Sequence, residues 1–243
     1  MGRVELLGVG FDNVNMSEAV EQGVEMLLSD GTHYVVTPNP EIVETCRENP
    51  AAKEAVTSAD LVIADGIGVI YGSRIRKTPL KCRVPGIEFG EAMVEQCVKL
   101  GKSVYFLGCK PGIAEKAAEN LKTKYPGLQV VGTADGYFKD DAAAAAKVRE
   151  SGADLLFVCL GAPKQERWIA EFGPQTGAHL MVGLGGVLDV YAGNVKRAPA
   201  IWQKMGLEWF YRLVHQPSRF GRMAKLPLFL VDAKKESKKR GKA

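Results

Sequence analysis

Asp65 is a carboxylate at the end of an expected strand, a position from which it could act as a general base. It ends the apolar run 61–64 and is followed by Gly66-Ile67-Gly68. An acid at a strand end before glycines takes a proton, binds a ribose or caps the next helix. The glycine pair lacks the third glycine of a dinucleotide fingerprint. A second cluster is Thr37-Pro38-Asn39-Pro40-Glu41. Its two prolines stiffen the loop and hold Thr37 and Asn39 in fixed geometry. Asn39 before Pro40 also reads as a helix cap.

Four more apolar runs end in polar or glycine clusters. Gly108-Cys109-Lys110-Pro111-Gly112 suits a phosphate cradle but lacks the GK[ST] of a P-loop. In Asp135-Gly136-Tyr137-Phe138, Tyr137 offers a ring to stack on a base or sugar, or to cover the sheet. Gly161-Ala162-Pro163-Lys164-Gln165 puts Lys164 and Gln165 in a first helical turn. Gly183-Leu184-Gly185-Gly186, ahead of Asp189, leaves backbone N–H groups for an anion. Together they suit a nucleotide or nucleotide-sugar ligand better than a metal. There is no D-x-D pair, and His33, His179, His215 and the five cysteines show no metal-ligand spacing. We expect no metal and no cofactor. A diphosphate leaving group would then need cations or helix dipoles, with Arg83 one candidate.

The elements that position these residues alternate. Expected strands are 4–9, 33–37, 61–64, 103–108, 129–133, 154–160 and 179–183. Helical patterns fill 17–28, 41–47, 66–73, 86–100, 112–124, 140–150 and 163–172, with Ser17-Glu18 and Asp140-Asp141 as N-terminal capping signals. The fold class is α/β, a Rossmann-like, mostly parallel sheet with helices on both faces. Its binding crevice lies beyond the carboxyl ends of the strands. The odd cysteine count fits reduced thiols.

The pattern stops near residue 195. Residues 194–243 hold thirteen Lys or Arg against three Asp or Glu, a net +10 on a chain whose total is +4. The body is mildly acidic, which argues against a nucleic-acid partner. We therefore expect a catalytic domain over 1–195 and a short helical C-terminal appendage over 196–243. Residues 234–243, a charge run without a large apolar side chain, are expected to be disordered. Basic residues interleaved with Trp202, Trp209, Phe210, Tyr211, Phe220 and Phe229 suit an anionic lipid surface. No apolar stretch approaches the ~20 residues of a membrane span, and the N-terminus has no signal core. The expected location is cytoplasmic, peripheral on the inner face of the cell membrane.

Read in order, Thr37-Pro38-Asn39-Pro40-Glu41, Ala64-Asp65-Gly66-Ile67-Gly68, Arg83 with Gly86, Gly161-Ala162-Pro163-Lys164-Gln165-Glu166, Gly185-Gly186-Val187-Leu188-Asp189 and Arg197-Ala198-Pro199 resemble motifs of the TagA/WecG/CpsF family of bacterial glycosyltransferases. Leu207-Glu208-Trp209-Phe210-Tyr211-Arg212-Leu213, followed by Pro217-Ser218-Arg219 and Arg222, resembles that family's C-terminal appendage. The resemblance implies an inverting transfer of N-acetylmannosamine from a UDP donor to N-acetylglucosamine-diphospho-undecaprenol, forming a β-1,4 bond. In the TagA branch this is an early step of wall teichoic acid synthesis. A UDP-N-acetylmannosaminuronic acid donor and a non-catalytic UDP-sugar-binding module are the alternatives. By the same resemblance Asp65 is the base, and Thr37, Asn39, Arg83 and Gln165 share its pocket. Gly66, Gly108, Tyr137, Gly161, Lys164, Gly185, Gly186 and Asp189 are further substrate-binding candidates. Arg212, Arg219 and Arg222 are appendage cations for the diphosphate. Self-association is also implied.

Overall fold

The computed structural model describes residues 2–215 and 225–240. Six strands form one sheet: β3 (His33–Val36), β4 (Leu61–Val62), β5 (Ser103–Gly108), β6 (Gln129–Ala134), β7 (Leu155–Cys159) and β8 (Leu180–Gly183). Their order is β4-β3-β8-β7-β5-β6, and every pairing is parallel. Every residue of β5, β7 and β8 is buried. That is why these strands read as unbroken apolar runs, since helices cover both faces. Val36 pairs with both Val62 and Gly183, and Val158 with Gly183. Four strand ends therefore finish level along one edge.

The run at 4–9 is not one strand. It splits into β1 (Val4–Leu6) and β2 (Val9–Phe11), an antiparallel hairpin. Leu7 and Gly8 turn it with φ of 54° and 82°. Both turn positions need positive φ, and a leucine there carries no sequence signal. The hairpin packs on helices rather than joining the main sheet.

The helices are α1 (Met16–Leu28), α2 (Pro40–Glu48), α3 (Pro50–Thr57), α4 (Ile67–Ile75), α5 (Gly86–Leu100), α6 (Ile113–Lys124), α7 (Asp141–Ser151), α8 (Lys164–Phe172), α9 (Val187–Tyr191), α10 (Ala200–Lys204), α11 (Glu208–His215) and α12 (Lys225–Arg240). Asn15 and Glu18 cap α1 reciprocally, with the cap two residues earlier than Ser17 suggests. Asp140 caps α7 as expected. Among the described residues no helix is long and apolar enough to cross a membrane.

α12 runs through residues 234–240 of the stretch 234–243 for which the sequence suggests disorder, and residues 241–243 lie outside the described residues. The chain is helical to Arg240. Phe229 and Ala233, one turn apart, are fully buried in the core that also holds Leu6, Val69 and Ile70. Gly68 and Gly72 on α4 make room for them. A Cβ at Gly68 would sit 2.4 Å from Leu226, and one at Gly72 would sit 2.7 Å from Phe229. The lysines that read as a free charge run continue a helix already anchored by its first turns. Their position at its C-terminal end also suits the helix dipole.

Candidate active site

One cleft of about 440 Å³ opens at the level strand ends. Thr37 and Asn39 come from the end of β3, Asp65 and Gly66 from β4, Gly161 and Gln165 from β7, and Gly185, Gly186 and Asp189 from β8. Arg83 lines it from the loop before α5. All five residues expected to be catalytic thus share one cavity.

Each is held by a local device. Thr37 Oγ1 donates to Gly183 O at 3.0 Å and ties β3 to β8. A Cβ at Gly86 would lie 3.2 Å from Thr37, so a side chain there would push against Thr37. Asn39 Oδ1 accepts from Ile42 N at 3.1 Å, so Asn39 does cap α2, with Pro40 at the first position. The cap does not remove it from the cleft. Gly66 is the N-cap of α4 and makes no side-chain cap bond, and Asp65 stands one residue before that cap. Gln165 is buried, and its Oε1 accepts from Gly185 N at 2.8 Å.

Arg83 Nη2 donates to Glu208 Oε2 at 3.0 Å. Arg197 Nε stands 3.9 Å from the same carboxylate, and Arg197 also pairs with Glu88. Gly206, Glu208 and Trp209 line the cleft from the α10–α11 segment, and Leu226 lines it from α12. The segment after 195 therefore forms part of the wall.

Three expected binding residues stand elsewhere. Gly108 is not in the cleft lining; it ends β5 with φ of 131°, paired with Cys159 of β7. A Cβ there would meet the Cys159 backbone at 2.4 Å. Tyr137 is 67% exposed and outside the lining. Lys164 Nζ lies 4.8 Å over the Phe138 ring and donates to Gly136 O. Phe138 in turn packs on Trp168, so this loop serves as cover over the sheet. The open N–H expected at Gly185 is taken by Gln165. The backbone of Arg212 lies on α11, while its side chain, Arg219 and Arg222 fall outside the described residues.

Glu208 lines the cleft although the sequence assigned it no role, and Trp209, read from the sequence as one of a lipid-facing aromatic set, lines the cleft beside it. The available signal was charge. Glu208, Asp232 and Glu236 are the only acids after residue 194. Each pairs with an arginine of the body: Arg83 at 3.0 Å, Arg47 at 2.6 Å and Arg76 at 2.8 Å. The Arg47 guanidinium holds the Asp232 carboxyl below its usual value, helped by Lys235.

Residues 4–243 match the family model described as "Glycosyl transferase WecG/TagA/CpsF family". A protein of Bacillus spizizenii is 36% identical over 198 residues, covering 82% of this chain and 77% of that protein. A Staphylococcus aureus protein is 35% identical over 248 residues, covering 99% of this chain and 96% of that protein. Both carry the name N-acetylglucosaminyldiphosphoundecaprenol N-acetyl-beta-D-mannosaminyltransferase.

Proposed function

The chain belongs to the WecG/TagA/CpsF family of glycosyltransferases, and we propose that it moves N-acetylmannosamine from UDP-N-acetylmannosamine to N-acetylglucosaminyl-diphospho-undecaprenol. The names of its relatives support the acceptor and the transferred sugar. The observation that carries the mechanism is the meeting of Asp65, Thr37, Asn39, Arg83 and Gln165 on one cleft. In bacteria that build wall teichoic acid, the product is an early intermediate of its linkage unit.

Asp65 takes the proton from the acceptor C4 hydroxyl as that oxygen attacks the donor's anomeric carbon. The bond from that carbon to the UDP oxygen breaks, and the electron pair leaves with UDP. Attack opposite the leaving group inverts the centre and gives a β-1,4 linkage. Charge grows on the diphosphate, and Arg83 stabilises it without a metal. Arg212, Arg219 and Arg222 are further cations for that task. The appendage over 196–243 completes the wall and holds the protein against the inner, anionic leaflet, where the lipid acceptor resides.

The test is UDP release from UDP-N-acetylmannosamine, with and without a lipid-diphosphate-N-acetylglucosamine analogue, in EDTA, for the native chain and Asp65→Asn. Acceptor-dependent release that survives EDTA and collapses in the variant is expected. Release that EDTA abolishes would overturn the metal-free mechanism. Absence of acceptor-dependent release from the native chain would overturn the donor assignment, and the uronic-acid donor would then be tested.

A further inference from the structure

Gln165 and Glu166 lie in the first turn of α8, and both side chains are buried, 2% and 1% exposed. Gly185 N–H can only donate, so the Gln165 atom 2.8 Å from it is the amide oxygen. The amide nitrogen therefore faces the other way, and Glu166 Oε1 accepts from it at 2.9 Å. Gly183 of β8 passes beneath, where an added Cβ would lie 3.1 Å from that nitrogen. The amide is thus fixed at its oxygen, at its nitrogen and across its face. One N–H remains for the cleft that Gln165 lines.

Glu166 pays for this arrangement. Its Oε2 is buried with no hydrogen-bond partner. A buried carboxyl that is half satisfied costs stability, and an apolar side chain of similar size would not. Burial pushes the Glu166 carboxyl above its usual value against the bond from Gln165, and Glu41 pushes it the same way. A residue that breaks a packing rule next to a cleft fits a site where stability is exchanged for function.

We propose that Glu166 is a positioning residue that locks Gln165 as a hydrogen-bond donor to a substrate oxygen. The inference rests on reading Gln165 as part of the transferase site. It assigns the chemistry of the contact. The substrate atom against Gln165 is an acceptor, such as a phosphate, carbonyl or hydroxyl oxygen, and the Gln165 oxygen is unavailable to a substrate donor because Gly185 holds it.

The experiment compares full-length Glu166→Leu, Glu166→Gln, Gln165→Leu and the double Leu variant by UDP release and thermal melting. Glu166→Leu is expected to melt at or above the native temperature while kcat falls about tenfold or more. Glu166→Gln retains an acceptor oxygen and stays within about threefold of the native rate. The double variant is no slower than Gln165→Leu alone, because Glu166 acts through Gln165. An unchanged rate in Glu166→Leu, or losses that multiply in the double variant, would overturn the proposal. A full native rate in Gln165→Leu would instead remove Gln165 from the reaction, and the role of Glu166 with it. The native chain gives a reading that does not depend on the variants folding. The side-chain NH₂ of Gln165 should exchange with solvent far more slowly than that of a free glutamine, and equal exchange sinks the idea.

Discussion

Glu208 Oε2 accepts from Arg83 Nη2 at 3.0 Å, joining positions 125 apart in sequence. Both side chains are largely buried, 10% and 17% exposed, and Arg197 stands 3.9 Å from the other carboxylate oxygen. The described part of the C-terminal segment thus brings a carboxylate to the cleft, where the sequence suggested an arginine. A carboxylate between two guanidiniums sets their separation and offsets their charge.

The pair predicts coupled kinetics. In a double-mutant cycle on kcat/KM, Arg83→Ala and Glu208→Ala together should lose less than the sum of the single losses, by about 0.5–3 kcal/mol. Additive losses would mean that Glu208 does not act through Arg83.

Phe229 is the second point of attachment. It is fully buried against Gly72 and Leu6. Phe229→Ala should destabilise the protein by about 3–5 kcal/mol, read from chemical denaturation. Gly72→Val should also destabilise it, because the new side chain occupies the space of the ring. A native midpoint in Phe229→Ala would show that α12 does not pack as described.

Truncation separates the jobs of the tail. Ending the chain after Ser237 removes four basic residues and leaves Glu208, Phe229, Asp232 and Glu236 in place. Stability and turnover on a soluble acceptor analogue should hold. Affinity for anionic vesicles should fall by about 1 kcal/mol per lost charge near the leaflet. Ending it after Asn194 strips Phe229 and Ala233 from the core and should lower the melting temperature.

The strand ends were legible because their signals are local. Apolar runs fully buried in a parallel sheet end abruptly at Gly, Pro, Asn and Asp. Thr37, Asp65 and Gln165 stand at such ends, and the sheet order brings them together. The turn at Leu7-Gly8 was hidden because a leucine occupies a left-handed position. α12 was hidden because the feature that orders it, the groove at Gly68 and Gly72, lies more than 150 positions away. The same distance problem concealed Glu208. The capture of Gly185 N–H by Gln165 joins the first turn of α8 to the loop after β8 and has no signature in either.

Asp154 predicts how stability depends on acid. Its carboxylate accepts from Ser103 N and Ser103 Oγ at 2.8 Å each and from Lys102 Nζ at 2.9 Å, tying together the starts of β5 and β7. Burial pushes this carboxyl up. The Ser103 backbone N–H, Lys102 and the Ser103 hydroxyl together outweigh burial and hold it below its ordinary value. A native value lower than the unfolded one means that the folded state binds the proton less readily. The stabilisation is therefore complete above the unfolded value of about 3.9 and is lost as pH falls through the lower native value. In melts from about pH 8 down to about pH 3, Asp154→Asn should melt below the native chain by a constant margin until roughly pH 5. The two curves should then converge as the acid range is entered. A margin that persists at the lowest pH would assign the loss to packing rather than to the charge.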